Sequence, residues 1–224
     1  MMKVIILAAG RGERLRPLTD HTPKPLLKAG NYRLIEYTIR SLVKAGFDDI
    51  VINYAHLGEQ FPEILGNGHQ YGASIVYSPE HEGGLETAGG IINALPLLDN
   101  EPFLVVNGDI WTDYPFERLT HITLATNMLC YLVMVNNPQH NSQGDFSLSS
   151  GLIQQSGDDQ YTYSGIGIYH PDLFSGLNVQ RMPLRPLLLQ AIYNQQVGGE
   201  IYQGEWSDIG TVERLQKLIR TLNH

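Results

Sequence analysis

The stretch Val4-Ile5-Ile6-Leu7-Ala8-Ala9-Gly10, continued by Arg11-Gly12-Glu13-Arg14-Leu15-Arg16-Pro17, decides the fold. Residues 3–9 are a continuous apolar run closed by a glycine, which fits a strand buried on both faces. Such strands belong to parallel sheets covered by helices. The chain turns sharply at Gly10 and Gly12. Residues 11–28 hold five of the chain's 15 Lys+Arg residues against only Glu13 and Asp20, in a protein of net charge −8. A strand that ends in a glycine-rich turn lets backbone N–H groups converge on an anion, with no Cβ in the way. Pro17, Pro23 and Pro25 predict a stiff, extended path with no regular helix, and hold Lys24 on a rigid tether.

Outward from this stretch, the pattern repeats. Strands are predicted at 49–55, 73–80, 102–109 and 128–135, with helices at 34–45 and 87–98. Strands alternating with helical patterns imply βαβ units and a mostly parallel central sheet flanked by helices. After Val135 the texture becomes short, polar and rich in Gly, Ser, Asp and Tyr. Residues 136–169 read as added short β-hairpins, with turns at Ser150-Gly151 and Gly157-Asp158. A helix over 184–195, a strand over 200–206 and a last helix over 212–222 follow. With no repeat and no linker, the expectation is one Rossmann-like α/β domain over 1–224. The change in texture divides it at about residue 135.

Composition narrows the function. The 42% apolar content supports a sizeable core, and 17% charged residues without long charge runs argue against disorder. A pI near 5.4 argues against a nucleic-acid or membrane-surface partner, which would want a broad basic face. A local basic cluster suits one small anion instead. The single cysteine, Cys130, excludes an intrachain disulfide and makes a cysteine-based zinc site improbable. No apolar run is long enough for a membrane span, and the apolar start is too short for a signal peptide. The expectation is a cytoplasmic protein. The eight histidines show no ligand spacing, and oligomeric state is not legible.

The loop fails two phosphate-binding patterns. The dinucleotide fingerprint needs a third glycine where Leu15 stands, and no Gly-Lys-Ser/Thr follows the first glycine. What it does match is longer. Leu7-Ala8-Ala9-Gly10-Arg11-Gly12-Glu13-Arg14-Leu15-Arg16-Pro17-Leu18-Thr19, followed by Thr22-Pro23-Lys24-Pro25-Leu26, resembles the signature of sugar-1-phosphate nucleotidyltransferases. That resemblance implies the family's GT-A-like nucleotidyltransferase fold, with a nucleotide-binding half at about 1–135 and a sugar-binding half at about 136–224. It implies a nucleotide site from Ala8, Ala9, Gly10, Gly12, Glu13, Arg14, Lys24, Asn107 and Gly108, with Arg14 and Lys24 as the catalytic cations. It also implies Mg²⁺ held by Asp109 and Asp208, with Asn107 adding an oxygen. Asp109 sits at the C-terminal end of a buried strand, where parallel α/β sheets place ligands, but Asp also caps strand ends. Asp208 could equally be a turn residue or the N-cap of the last helix, a role open to Thr211 as well.

The later motifs, Ser78-Pro79-Glu80, Leu85-Glu86-Thr87-Ala88-Gly89-Gly90, Gly144-Asp145-Phe146, Tyr163-Ser164-Gly165-Ile166 and Trp206-Ser207-Asp208-Ile209-Gly210-Thr211, resemble a uridylyltransferase branch of the family. By that resemblance the partners are UTP and N-acetylmuramate α-1-phosphate. The sugar would meet Glu80, Thr87, Gly89, Asp145, Ser164 and Gly165. Glu86 departs from the glycine relatives carry there. For Asp145 and Ser164 a hairpin turn and a packed hydroxyl are equally open readings, and the glycine pair 89–90 could merely permit a helix start. Guanylyl transfer to mannose 1-phosphate is the alternative. A non-catalytic sugar-nucleotide sensor is another, although such a chain would be expected to lose Lys24 or an aspartate.

Overall fold

A computed structural model describes residues 2–81 and 83–223. Thirteen strands form among them: β1 (Val4–Leu7), β2 (Lys28–Ala29), β3 (Tyr32–Arg33), β4 (Asp49–Tyr54), β5 (Ser74–Pro79), β6 (Phe103–Asn107), β7 (Ile110–Thr112), β8 (Cys130–Val135), β9 (Phe146–Ser149), β10 (Leu152–Gln154), β11 (Gln160–Tyr169), β12 (Val197–Tyr202) and β13 (Trp206–Asp208). The α-helices are α1 (Leu34–Lys44), α2 (Gln60–Leu65), α3 (Glu86–Ala94), α4 (Arg185–Tyr193) and α5 (Val212–Leu222).

Nine strands make one sheet in the order β5-β4-β1-β6-β11-β8-β12-β10-β9. The expected parallel arrangement holds from β5 to β6. Beyond β6 the sheet is mixed. β11 runs antiparallel between β6 and β8, and β12 is parallel to β8. β11 enters from the hairpin half of the chain and inserts between β6 and β8, which run the same way as each other, so the parallel order is broken at that one strand. α4 lies between β11 and β12 in the chain.

Both faces of β1 are buried, as the unbroken apolar run requires. Val4 and Ile6 join one core with Ile35, Ile39 and Leu42 of α1. Ile5 joins the other with Ile91 of α3 and Val105 of β6. A third cluster is local to the site. Leu15 of the glycine loop, Leu27, Ala29 and Leu34 pack against Ile209 and against Leu215 and Leu218 of α5. Leu15 is fully buried there, a contribution of about 1.5–3 kcal/mol that pins the loop to the far end of the chain.

Two local expectations change. The proline stretch is not extended throughout. It folds into single 3₁₀ turns at Leu18–Asp20 and Lys24–Leu26, the second closed by Leu26 N–H to Pro23 and Leu27 N–H to Lys24 carbonyls. The strand expected over 200–206 is two strands in different sheets. β12 ends at Tyr202, and β13 pairs antiparallel with β7.

Candidate active site

The ends of β1, β4 and β6 open on one cleft of about 320 Å³. Its walls include Ala8, Ala9, Gly10, Gly12, Lys24, Asn53, Glu80, Thr87, Asn107 and Asp109. The C-terminal edge of a parallel sheet is where α/β folds place ligands. Gly12 is required twice over. Its φ is +70°, and an added Cβ would stand 3.0 Å from Thr19 and 3.1 Å from the Lys24 Cβ. The Gly12 carbonyl accepts from the Thr19 hydroxyl at 2.9 Å, which ties the loop to the turn before Lys24.

Lys24 is buried, and its Nζ donates to Asp109 Oδ2 at 2.5 Å. The two residues are 85 positions apart and meet because β1 and β6 are neighbours. Asp208 arrives by another route. In the β7–β13 ribbon Asp208 pairs with Ile110, and Ile209 N–H donates to the Asp109 carbonyl at 2.7 Å. The two candidate metal-ligating aspartates are therefore one rung apart. Arg214, in the first turn of α5, donates to the Asp208 carboxylate, and His140 Nε2 stands 2.8 Å from the same oxygen. Thr211, not Asp208, caps α5, accepting from Arg214 N–H. Arg14 is exposed on the turn Glu13–Leu15 and reaches the same place. A Cβ added to Gly210 would lie 2.4 Å from Arg214 Nη2 and 2.9 Å from Arg14 Nη2.

The remaining sequence candidates divide. Asn107 lines the cleft against Gly165, whose missing Cβ would sit 2.5 Å from Asn107 Nδ2. Gly108 lets β6 approach β1, its N–H donating to the Leu7 carbonyl at 2.8 Å. The Glu13 carboxylate lies outside the cleft wall in an exposed network with Arg11 and Arg16. Glu80 is in the wall, but its oxygens are engaged by Asn53 Nδ2 (2.6 Å) and Leu85 N–H (2.7 Å). Burial pushes its carboxyl above the usual range, and those two hydrogen bonds oppose the shift. Gly89 is outside the wall, packed so closely that a Cβ would stand 2.1 Å from the Gln180 carbonyl oxygen. Asp145 accepts from Tyr163 N–H at 2.9 Å and from Asn141.

Ser164 takes the bland alternative. Its hydroxyl is buried, donating to the Val133 carbonyl at 2.6 Å and accepting from Ile166 N–H at 3.1 Å. It closes the register shift in β11 between Tyr163 and Ile166, where Gly165 takes φ +81°. Ser164→Ala should lower stability by about 1–3 kcal/mol, because two buried backbone groups lose a partner. Thermal melting and kcat/KM together check this: the melting temperature falls while kcat/KM stays within about threefold of wild type.

Sequence reasoning passed over Asn53, Arg214 and His140. Asn53 Oδ1 accepts from Ala8 N–H at 2.7 Å and so fixes the start of the loop. Its signal was a polar residue interrupting the apolar strand at 49–55. The signal for Arg214 was a basic residue in the first turn of a helix, against the dipole preference. His140 gave no local signal.

The profile of the Nucleotidyl transferase family matches residues 3–224. The chain belongs to that family, the sugar-1-phosphate nucleotidyltransferases. It is 49% identical over 222 residues to an N-acetylmuramate alpha-1-phosphate uridylyltransferase of Neisseria meningitidis, covering 96% of each chain. It is 32% identical to a mannose-1-phosphate guanyltransferase of Neurospora crassa, over 93% of this chain but only 61% of that one. Two solved structures share the fold. One, from Bacillus anthracis and described as a glucose-1-phosphate thymidylyltransferase, gives TM-score 0.85 at 22% identity, covering 99% of this chain and 95% of the other. HddC from Yersinia pseudotuberculosis gives 0.82 at 18%, covering 99% and 100%. No helix among the described residues is long and apolar enough to cross a membrane.

Proposed function

We propose that this chain transfers the uridylyl group of UTP to N-acetylmuramate α-1-phosphate in the cytoplasm, as a step in cell-wall sugar recycling. The observation that carries the reading is the buried Lys24 held 2.5 Å from Asp109 at a glycine-walled cleft. The 49% identity to a uridylyltransferase, even along both chains, supports the choice of sugar and base. About residues 1–135 would supply most of the nucleotide site and about 136–224 most of the sugar site.

The chemistry asks little of the protein. A sugar 1-phosphate is close to dianionic at pH 7, its second pKa being about 6. Its oxygen attacks the α-phosphorus without a general base. One P–O bond forms, the bond to the bridging oxygen breaks, and that electron pair leaves on pyrophosphate. Catalysis then means aligning two anions and suppressing their repulsion. Gly10 and Gly12 let the backbone approach the triphosphate, Lys24 meets the reacting phosphate, and Arg14 meets the outer phosphates.

The donor set suits Mg²⁺. Asp109 and Asp208, one rung apart along the backbone, offer hard oxygens, Asn107 lines the same cleft as Asp109, and Mg²⁺ takes one or two carboxylates plus phosphates and water. No cluster of three His, Cys, Asp or Glu side chains suited to a metal occurs among the described residues, so substrate phosphates would complete the shell. When bound, the ion neutralises phosphate charge. Lys24 pairs with the Asp109 carboxylate and Arg214 with that of Asp208.

The test is to mix the protein with UTP, N-acetylmuramate α-1-phosphate and Mg²⁺ and follow phosphorus resonances. One pyrophosphate should appear per UDP-sugar formed. No pyrophosphate, or pyrophosphate without UDP-sugar, sinks the reading.

A further inference from the structure

The cleft as described is short of positive charge for its proposed sugar. Two cations, Arg11 and Lys24, share its wall with three carboxylates, Glu80, Glu86 and Asp109, among the described residues. Arg11 is already committed to the Thr19 carbonyl at 2.7 Å and to Asp20 at 3.1 Å. Lys24 serves the reacting phosphate. A sugar 1-phosphate that also bears a ring-borne carboxylate brings one more negative charge than these side chains meet.

The wall itself indicates where that charge is met. Glu86 opens α3 with φ +59°, a conformation a non-glycine residue rarely adopts and holds only when its surroundings insist. Its carboxylate accepts from Arg181 Nε at 3.0 Å. Arg181 lies in a loop, yet the loop is fastened on both sides of it. Ala88 and Gly89 N–H donate to the Met182 carbonyl at 3.0 and 3.1 Å, and Met182 N–H donates to the Leu85 carbonyl at 2.9 Å. The absent Cβ of Gly89 lets the Gln180 carbonyl close in on the other flank. A guanidinium is thus presented from an anchored backbone to Glu86, a residue of the cleft wall. The ion pair uses Nε alone, and arginine carries four further N–H donors in the same plane. The pair is exposed, so little free energy opposes sharing or exchanging it.

We propose that Arg181 reads a carboxylate on the sugar, and that Glu86 is the resident carboxylate it holds until that substrate arrives. The inference rests on the muramate reading above. Arg185 is the rival cation. Its guanidinium stands 3.8 Å from Asp145 and 5.2 Å from the Phe146 ring centre, and neither residue lines the cleft. Planar, bidentate pairing makes arginine the side chain suited to this task, and lysine an incomplete substitute.

The test compares N-acetylmuramate α-1-phosphate with its lactyl methyl ester, which keeps the bulk and removes the charge. Wild type should favour the acid by about 10–100-fold in kcat/KM, the range of a charge-assisted hydrogen bond. Arg181→Ala should bring the acid-to-ester ratio near one, mostly through KM. Arg181→Lys should fall between, and it serves as the folded control if Arg181→Ala does not express. Glu86→Gln, which removes the competing carboxylate, should raise the ratio. An unchanged ratio in both Arg181 variants overturns the inference, as does a wild-type ratio near one, while the muramate reading stands. Wild-type turnover of neither compound removes the muramate reading and the inference with it.

Discussion

Lys24→Met should fold normally and lose about 10³-fold in kcat. Removing one preorganised donor aimed at developing charge costs about 10²–10³-fold in well-studied sites, and here the lost group is a full cation. Methionine keeps the buried aliphatic stem of Lys24, so packing changes little. The freed Asp109 carboxylate, a third exposed, turns to water. Only one partner of the pair is removed, and the carboxylate left behind is exposed enough to hydrate, so the cost in stability stays small. The expected pair of results is a melting temperature close to wild type with turnover lost, read by pyrophosphate release and a thermal melt. Near wild-type turnover would show that Lys24 does not meet the reacting phosphate.

Asp109→Asn should lose as much activity and also stability. The asymmetry comes from burial. The Lys24 side chain is 10% exposed against 35% for Asp109, so deleting the acid leaves a mostly buried cation without its partner. Breaking a fully buried pair from one side costs about 3–5 kcal/mol. The partial exposure of Asp109 and the amide oxygen of Asn reduce this to about 1–3 kcal/mol. For a chain of this size that is a fall of about 3–10 °C in melting temperature. Titration with Mg²⁺ gives a second readout: the stabilisation Mg²⁺ confers on the UTP-bound wild type should shrink in this variant. A melt identical to wild type would mean that Lys24 draws no support from Asp109.

The first half of the molecule was legible because its signals are strong. β1, β4 and β6 are apolar runs with turns at their ends, and the glycine loop is defined by spacing rather than by contacts. The link between the two aspartates was hidden. β7 and β13 are three-residue strands, too short for any period to register, and their pairing joins residues almost a hundred positions apart. Ser164 was hidden in another way. Its motif resembles the family's sugar site, while its hydroxyl is engaged on a bulge whose need is set by the register of β11 against β8. Gly89 likewise answers to the loop at 180–182 rather than to the cleft. The mixed order of the second half followed from hairpins whose partners the sequence did not name. Asp208, by contrast, was read from its motif alone, and the ribbon delivers it beside Asp109.

The central claim is the substrate pair. The most direct measurement is pyrophosphate release from wild-type protein with each of the four nucleoside triphosphates crossed against a panel of sugar 1-phosphates that includes N-acetylmuramate, N-acetylglucosamine and mannose. UTP with N-acetylmuramate α-1-phosphate should give the highest kcat/KM of the grid. Preference for GTP with mannose 1-phosphate, or no turnover in any cell alongside tight binding of a sugar nucleotide, would contradict it.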